Sequence, residues 1–288
     1  MVRVRWRGAL LWGAVGLGSL GPGSAFAFCR TTTAKQTQTS CPEPCVTTGT
    51  PLAWESPDLH YSLSQRGFPG LTEAQVRAIF AESFGAWEAV RCDGEPVGFE
   101  IHQNEQTTDA GVGPESRFPE WNVNTMVLVS TQEEWADNDL PSLAFAVTGV
   151  WFTPSTGHIV GADTQFNGGM SRFGICPDEG CPADGRTVDL RNVATHEAGH
   201  FLGLAHSEDP NATMWCGADP TDVSKRDLAD DDIEGLCAAY PPGAALLAGP
   251  PTVRSAGCAL GSTRASSGWP LWLALGLGLR RRTRSRAR

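Results

Sequence analysis

Acidic residues are missing from both ends of this chain. Residues 1–27 hold three arginines and no acid, and residues 258–288 hold seven arginines and no acid. The body between them is correspondingly poor in positive charge, with 12 basic against 32 acidic side chains. That imbalance argues against a nucleic-acid partner, or an anionic membrane surface for the body. It fits a soluble, exported protein. No apolar run reaches the roughly 20 residues of a membrane-spanning helix. No internal repeat is present, which removes solenoids and propellers. No C-x-x-C pair has a matching distant pair, which argues against a cysteine-rich structural zinc site. Histidine is scarce, six in the whole chain. Three of them fall between His196 and His206. A hydrophobic content of 41% is enough for a globular core.

The ends read as addresses rather than fold. Arg3, Arg5 and Arg7 form a basic segment, Ala9–Leu20 an apolar one, and Ala25, Phe26 and Ala27 an A-x-A cleavage site. A signal peptide over residues 1–27 leaves a mature chain starting near Phe28. The apolar stretch is too short and glycine-rich for a retained anchor, and bulky Phe28 before Cys29 speaks against a lipoprotein signal. All nine cysteines follow that site. In an exported chain they read as disulfides. Cys258 stands apart, leaving eight, which allow 105 connectivities. Proximity favours Cys41–Cys45 and Cys176–Cys181, then Cys216–Cys237 and Cys29–Cys92.

Residues 28–50 lack periodicity and read as an irregular, disulfide-held arm. Folded sequence starts near Trp54. Leu59–Leu63 alternates like a half-buried strand. Thr72 and Gln75 predict a capping box. The helix after it presents Val76, Ile79, Phe80, Phe84 and Trp87 on one apolar side. Strands are expected over Val97–Gln103, Thr125–Ser130, Leu143–Phe152 and Gly157–Asn167, and helices over Thr187–Leu202 and Ser224–Ala239. This is an α+β layout with one mixed, twisted sheet and three main helices. The domain covers 51–243, a linker 244–257 and a tail 258–288. The tail carries Cys258, a polar spacer, a short apolar run from Trp269 to Leu279 and six arginines. It resembles the C-terminal sorting tails of myxobacterial surface proteins, in which a processed tail replaces a membrane helix. That makes Cys258 the sorting-tail cysteine and limits membrane contact to the tail.

Residues four apart on an α-helix are separated by about 400°, so His196 and His200 share one face. Both can aim a ring nitrogen at one ion. Glu197, rotated by about 100°, points beside that ion, where a general base can hold a water. Gly203 can end the helix left-handed, and His206 then returns as a third ligand. Three neutral nitrogens with one open position is the catalytic form of a zinc site. Five fixed positions match by chance on the order of once in 10⁵ such chains.

The stretch from His196 resembles the metzincin signature H-E-x-x-H-x-x-G-x-x-H with its downstream methionine turn. Met214 lies eight residues beyond His206. Within that group it is most similar to the matrixins, through Ser207 after the third histidine, "LADDDIEGLCAAY", "TGHIVGADTQFN" and "LTEAQVRAIFAESFGAWEAV". The resemblance implies a zinc endopeptidase with one catalytic zinc, Glu197 as base and Met214 supporting the metal from below. It implies a peptide substrate bound as an extended strand, with "GHIVGADTQFN" as the cleft edge. Phe201 and the loop after Met214 would border the specificity pocket, although core packing is the plainer reading for Phe201 and Leu204. The departures are specific. No P-R-C-G-x-P-D latency segment is found, and the aspartate-rich calcium loop is not recognisable. Asp163 could bind calcium, but reads better as a solvent or turn aspartate. The long arm makes pairing of Asp231 or Asp232 with a chain start doubtful, and helix capping is the plainer role. His102 and His158 read as strand residues without metal.

The resulting expectation is a monomeric, secreted, disulfide-containing zinc endopeptidase tethered at the cell surface. Its rivals are a non-catalytic surface binding module that keeps zinc for stability, and a zinc hydrolase of non-peptide amides.

Overall fold

Thr72 starts the first helix as its neighbours predict. Its Oγ1 accepts the Gln75 N–H at 3.3 Å, and Gln75 Oε1 accepts the Thr72 N–H at 2.9 Å. In this computed structural model, which describes residues 27–34, 41–42, 44–113, 122–243 and the backbone of 258–259, the helix α1 spans Glu73–Glu88. It buries Val76, Ile79, Phe80, Ser83, Phe84 and Trp87, the side chains its period places together. Phe80 meets Phe68 and Phe166, and Phe84 stacks on Tyr61 with ring centres 4.2 Å apart. Such offset and edge-on ring pairs add to the area they bury.

The strands are β1 (Ala53–Trp54), β2 (Asp58–Leu63), β3 (Arg91–Cys92), β4 (Glu95–Pro96), β5 (Glu100–Gln103) and β6 (Thr125–Val129). They continue with β7 (Ala146–Phe152), β8 (His158–Asn167), β9 (Arg172–Gly174), β10 (Thr187–Asp189) and β11 (Cys258–Ala259). The main sheet runs β11-β7-β8-β6-β2-β5, with β1 paired to β8. β8, β6, β2 and β5 pair in parallel, and β7 is antiparallel to β8. A mixed sheet with helices packed on it is the α+β architecture expected.

The helices differ from the sequence reading, and two strands, β5 and β7, start three residues later than expected. Thr187–Asp189 pairs with β9 instead of starting the helix, so α3 spans Leu190–Phe201. Ser224–Arg226 is a separate 3₁₀ turn, and α4 spans Asp230–Ala239. A short helix α2 (Gln132–Asp137), capped by Thr131 and buried through Trp135, had no counterpart in the expectation. Residues 1–26 of the expected signal peptide, the linker and the tail beyond Ala259 lie outside the described residues.

The disulfides correct three of the four expected pairs. They are Cys29–Cys45, Cys41–Cys216, Cys92–Cys237 and Cys176–Cys181. Proximity in sequence misleads for the arm because it folds back over the domain. Arg30 bridges Leu204, and Thr32 bridges Pro51. That course carries Cys41 to the loop beyond Met214, while α4 turns Cys237 toward β3. Asp163 is also corrected. It is fully buried and accepts the backbone N–H groups of Thr125 and Gly113 at 2.6 and 2.8 Å.

Candidate active site

α3 carries the first two histidines, and its start is fixed by charge and capping. Asp189 Oδ1 accepts the Asn192 N–H at 2.8 Å, the bond expected of an N-cap. Arg226 grips the same carboxylate at both oxygens, at 2.9 and 2.7 Å. The far end has its last carbonyls satisfied from outside. Trp54 Nε1–H donates to the Phe201 carbonyl at 2.8 Å, and the Tyr240 hydroxyl to that of Leu202 at 2.9 Å. Gly203 follows with φ +87°. A Cβ there would stand 2.8 Å from the Leu52 carbonyl oxygen, so both the backbone angle and the space select glycine.

The turn at Gly203 brings His206 back against the helix. The ring centres of His196, His200 and His206 are 4.8, 4.8 and 5.3 Å apart. His196 Nδ1 lies 2.6 Å from the Thr213 carbonyl and His200 Nδ1 2.9 Å from the Leu204 carbonyl. A carbonyl can only accept, so each Nδ1 carries the proton and each neutral ring turns its Nε2 lone pair inward. His200 and His206 Nε2 are 3.3 Å apart. That separation suits two ring nitrogens turned toward one ion. It is the edge of a donor set: Zn–N bonds near 2.05 Å at a tetrahedral angle place neighbouring nitrogens roughly 3.3 Å apart. One ligand atom from each histidine lies within 4.8 Å of the others. Burial holds His200 down to about 3 and His196 well below its usual value, with the neighbouring cations adding to it. Both rings are therefore neutral near pH 7, the form that binds metal. The donor set fits a zinc ion.

Met214 closes the floor beneath this group and is 2% exposed. Its N–H and that of Thr213 are accepted by the two oxygens of Asp232, at 2.9 and 2.7 Å. The backbone of the turn is thus clamped by α4. Gly199 makes the approach possible, since a Cβ there would lie 2.2 Å from Met214 Sδ.

Glu197 faces the neighbouring sheet. Thr148 of β7 donates its hydroxyl to Glu197 Oε2 at 2.5 Å. Burial raises the Glu197 carboxyl to about 7, against the opposing pull of the Thr148 hydrogen bond and of the Lys225 charge. Glu197 and the three histidines line a cavity of about 150 Å³. Its walls are Leu143 to Thr148 on one side and Cys216, Ala218 and Lys225 on the other. Volumes of roughly 300–1,000 Å³ are usual for drug-sized ligands, so this cavity suits a single side chain.

The matrixin profile matches residues 53–241, which is more than half of the chain. This chain belongs to the matrixin family. It is 30% identical over 192 residues to metalloendoproteinase 1-MMP of Arabidopsis thaliana, covering 66% of this chain and 44% of that protein. It is 28% identical over 196 residues to neutrophil collagenase of Homo sapiens, covering 68% and 34%. A shorter match, 38% over 94 residues, is to matrix metalloproteinase-27 of Homo sapiens, covering 33% and 16%. The matched part is less than half the length of each of these relatives.

In this matrixin four of the residues singled out from sequence, His196, Glu197, His200 and His206, line one cavity, while Met214 packs against Gly199 of α3 and Gly203 ends that helix. Cys258 stands apart, in β11 against β7. His158 sits on β8 beside Glu55 at 3.0 Å, and His102 on β5 beside Asp58 at 3.1 Å. Phe201 and Leu204 are core residues, 0% and 1% exposed. The expected cleft edge is corrected. β8 pairs with β7 on one side and with β6 and β1 on the other, so it has no free edge to offer. β7 borders the cavity instead, and among the described residues its outer edge is paired only at Gly149 and Val150. Asp231 is also corrected: it accepts the Ala27 N–H at 3.0 Å and the Ser207 hydroxyl at 2.6 Å. Thr148, Lys225 and Asp232 had no assigned part in the site. The signal for Thr148 was a hydroxyl inside an otherwise apolar strand.

Proposed function

We propose that the protein is an exported zinc endopeptidase. His196, His200 and His206 hold one zinc ion, and Glu197 is the general base. The observation that carries this reading is the convergence of three inward-facing Nε2 atoms beside a buried carboxyl fixed by Thr148. A bound zinc ion would supply a Lewis acid for the scissile carbonyl and lower the pKa of water from 15.7 to about 7. Glu197 takes the proton of the attacking water and returns it to the leaving amine. The Thr148 hydroxyl holds one carboxyl oxygen, so the other is left to face the water. The inner end of β7, Ala146–Thr148, offers backbone groups to an extended peptide, which would add as a further strand.

The same reading covers the ends of the chain. Residues 1–27 are removed on export, and the four disulfides suit an oxidising compartment. Residues 244–257 link a monomeric domain to the tail 258–288, which tethers the protein through Cys258.

The test compares the purified protein with Glu197→Ala on denatured casein, with zinc measured in both. The expected result is about one zinc per chain in each and cleavage by the wild type alone, lowered in the variant by roughly 10²-fold or more. Zinc in both and cleavage by neither would instead establish a zinc-stabilised binding module.

A further inference from the structure

Lys225 is one of two lysines in the 288-residue chain. It sits at the centre of the 3₁₀ turn Ser224–Arg226, where its backbone N–H donates to Asn192 Oδ1 at 2.7 Å. That bond ties the turn to the first turn of α3. The side chain is 6% exposed, and its ammonium donates to the Trp215 carbonyl. A second polar atom, His196 Nδ1, lies 3.5 Å away. It cannot accept, because it already donates to the Thr213 carbonyl. An ammonium has three N–H donors. Among the described residues no carboxylate is within ion-pair distance of it; Asp222, Glu197 and Asp232 act on it only at longer range. A buried cation with unmet donors is costly to keep unless something pairs with it.

Lys225 lines the cavity together with His196, Glu197 and the apolar residues Leu143, Ala144 and Ala146. The cavity therefore combines room for one side chain, an apolar wall and a lysine with unmet donors. We propose that Lys225 is a specificity-determining residue that makes this cavity select an acidic side chain, aspartate or glutamate, next to the cleaved bond. The proposal rests on the peptidase reading above. The net charge of −10 repels acidic polypeptides as a whole, but at physiological salt that repulsion is screened within about 8 Å. Selection is thus local, for one acidic residue in a neutral or basic stretch. The carboxylate would complete the donors of Lys225 by charge-assisted hydrogen bonds.

The test begins with digestion of a proteome-derived peptide library by the purified protein, reading the residues that flank each cut by mass spectrometry. Matched peptides carrying Glu or Leu at the selected position are then compared. The readout is the Glu:Leu ratio of kcat/KM within each protein, which cancels general losses of activity. The wild type is expected to favour Glu about tenfold. Lys225→Arg should keep the preference. Lys225→Gln, which can still hydrogen-bond the Trp215 carbonyl, and Lys225→Met should both abolish it. A preference for Leu in the wild type, or an unchanged ratio in Lys225→Gln, overturns the proposal while leaving the peptidase intact. Binding of the same two peptides to Glu197→Ala, measured by calorimetry, supplies the readout that needs no turnover. If the wild type cuts nothing, the peptidase reading falls, and equal affinities for the two peptides then overturn the role of Lys225 as well.

Discussion

Gly199→Ala sets two effects of opposite sign against each other. In an exposed helix the change stabilises by about 1 kcal/mol, because alanine loses less backbone freedom on folding. Gly199 is not exposed. A Cβ at this position would lie 2.2 Å from Met214 Sδ, 2.8 Å from Trp87 Cζ2 and 3.1 Å from Trp87 Cη2. The sulfur would have to retreat by more than 1 Å to reach ordinary contact, and neither neighbour is free to move. Met214 is buried with its N–H on Asp232, and Trp87 is 0% exposed with its indole N–H on the Thr195 carbonyl at 2.9 Å. Overpacking of a well-filled core costs typically 1–3 kcal/mol, and two constrained neighbours place this case near the upper end. The net expectation is a loss of about 2 kcal/mol, or a fall in Tm of about 4–8 °C for a domain of this size. Thermal unfolding of the zinc-loaded, oxidised protein, followed by circular dichroism, measures it. Met214→Ala opens space where the new methyl needs it, so the double variant should lose less than the two singles added together. A Gly199→Ala protein as stable as the wild type, or additivity in the double variant, would refute the claim that Gly199 is what lets Met214 close under the histidines.

Three further outcomes are expected. Arg226→Ala leaves the 1%-exposed Asp189 carboxylate without its cation; breaking such a pair costs roughly 3–5 kcal/mol, here nearer 3 because the Asn192 and Cys176 N–H bonds remain, and a loss under about 1 kcal/mol by urea unfolding would contradict it. Stripping zinc with a chelator should lower Tm, and zinc at 1,000 times its Kd should restore about 4 kcal/mol, whereas no response to added zinc would count against the histidine site. Tyr61 and Tyr240, the two tyrosines of the chain, are both held above the usual tyrosine range, chiefly by burial. The unfolded chain therefore loses these protons first, so stability falls as pH rises through about 10 and tyrosinate absorbance should appear only together with unfolding; gradual titration of the folded protein at an ordinary tyrosine pKa would refute this.

The legible part of the site was the part that local geometry writes. His196, Glu197 and His200 lie on one helix, whose period fixes their directions, and Gly203 marks its own end by its φ of +87°. His206 follows within one turn of chain. Thr148, Lys225 and Asp232 reach the site from other elements, 49, 29 and 26 residues from Glu197, His196 and His206 respectively, and no spacing rule spans such gaps. The sheet shows a different failure. β7 and β8 were both recognised as strands, yet the wrong one was read as the edge. The burial of β8 carried the missing signal: all but two of its ten residues are buried, as in a strand flanked on both sides. For the disulfides, pairing by proximity assumed an arm that stays local, and the arm does not.

That arm also explains how the third histidine is held. His200 is fixed by a helix, but His206 sits beyond it on a turn with no regular structure of its own. Residues 203–207 are buried, so their backbone groups need partners. The arm supplies them in an antiparallel bridge centred on Arg30 and Leu204. Thr31 N–H donates to the Gly203 carbonyl at 3.0 Å, and Ala205 N–H to the Cys29 carbonyl at 2.9 Å. Thr31 Oγ1 adds a bond to the Leu204 carbonyl at 3.1 Å, whose oxygen also receives His200 Nδ1–H. Asp231 takes the Ser207 hydroxyl at 2.6 Å and, in the chain before cleavage, the Ala27 N–H with its other oxygen. Cys29–Cys45 and Cys41–Cys216 hold the arm in that position. A segment without periodicity thus does the work of a strand, pairing on one side with Pro51 and on the other with the short stretch that carries the third imidazole.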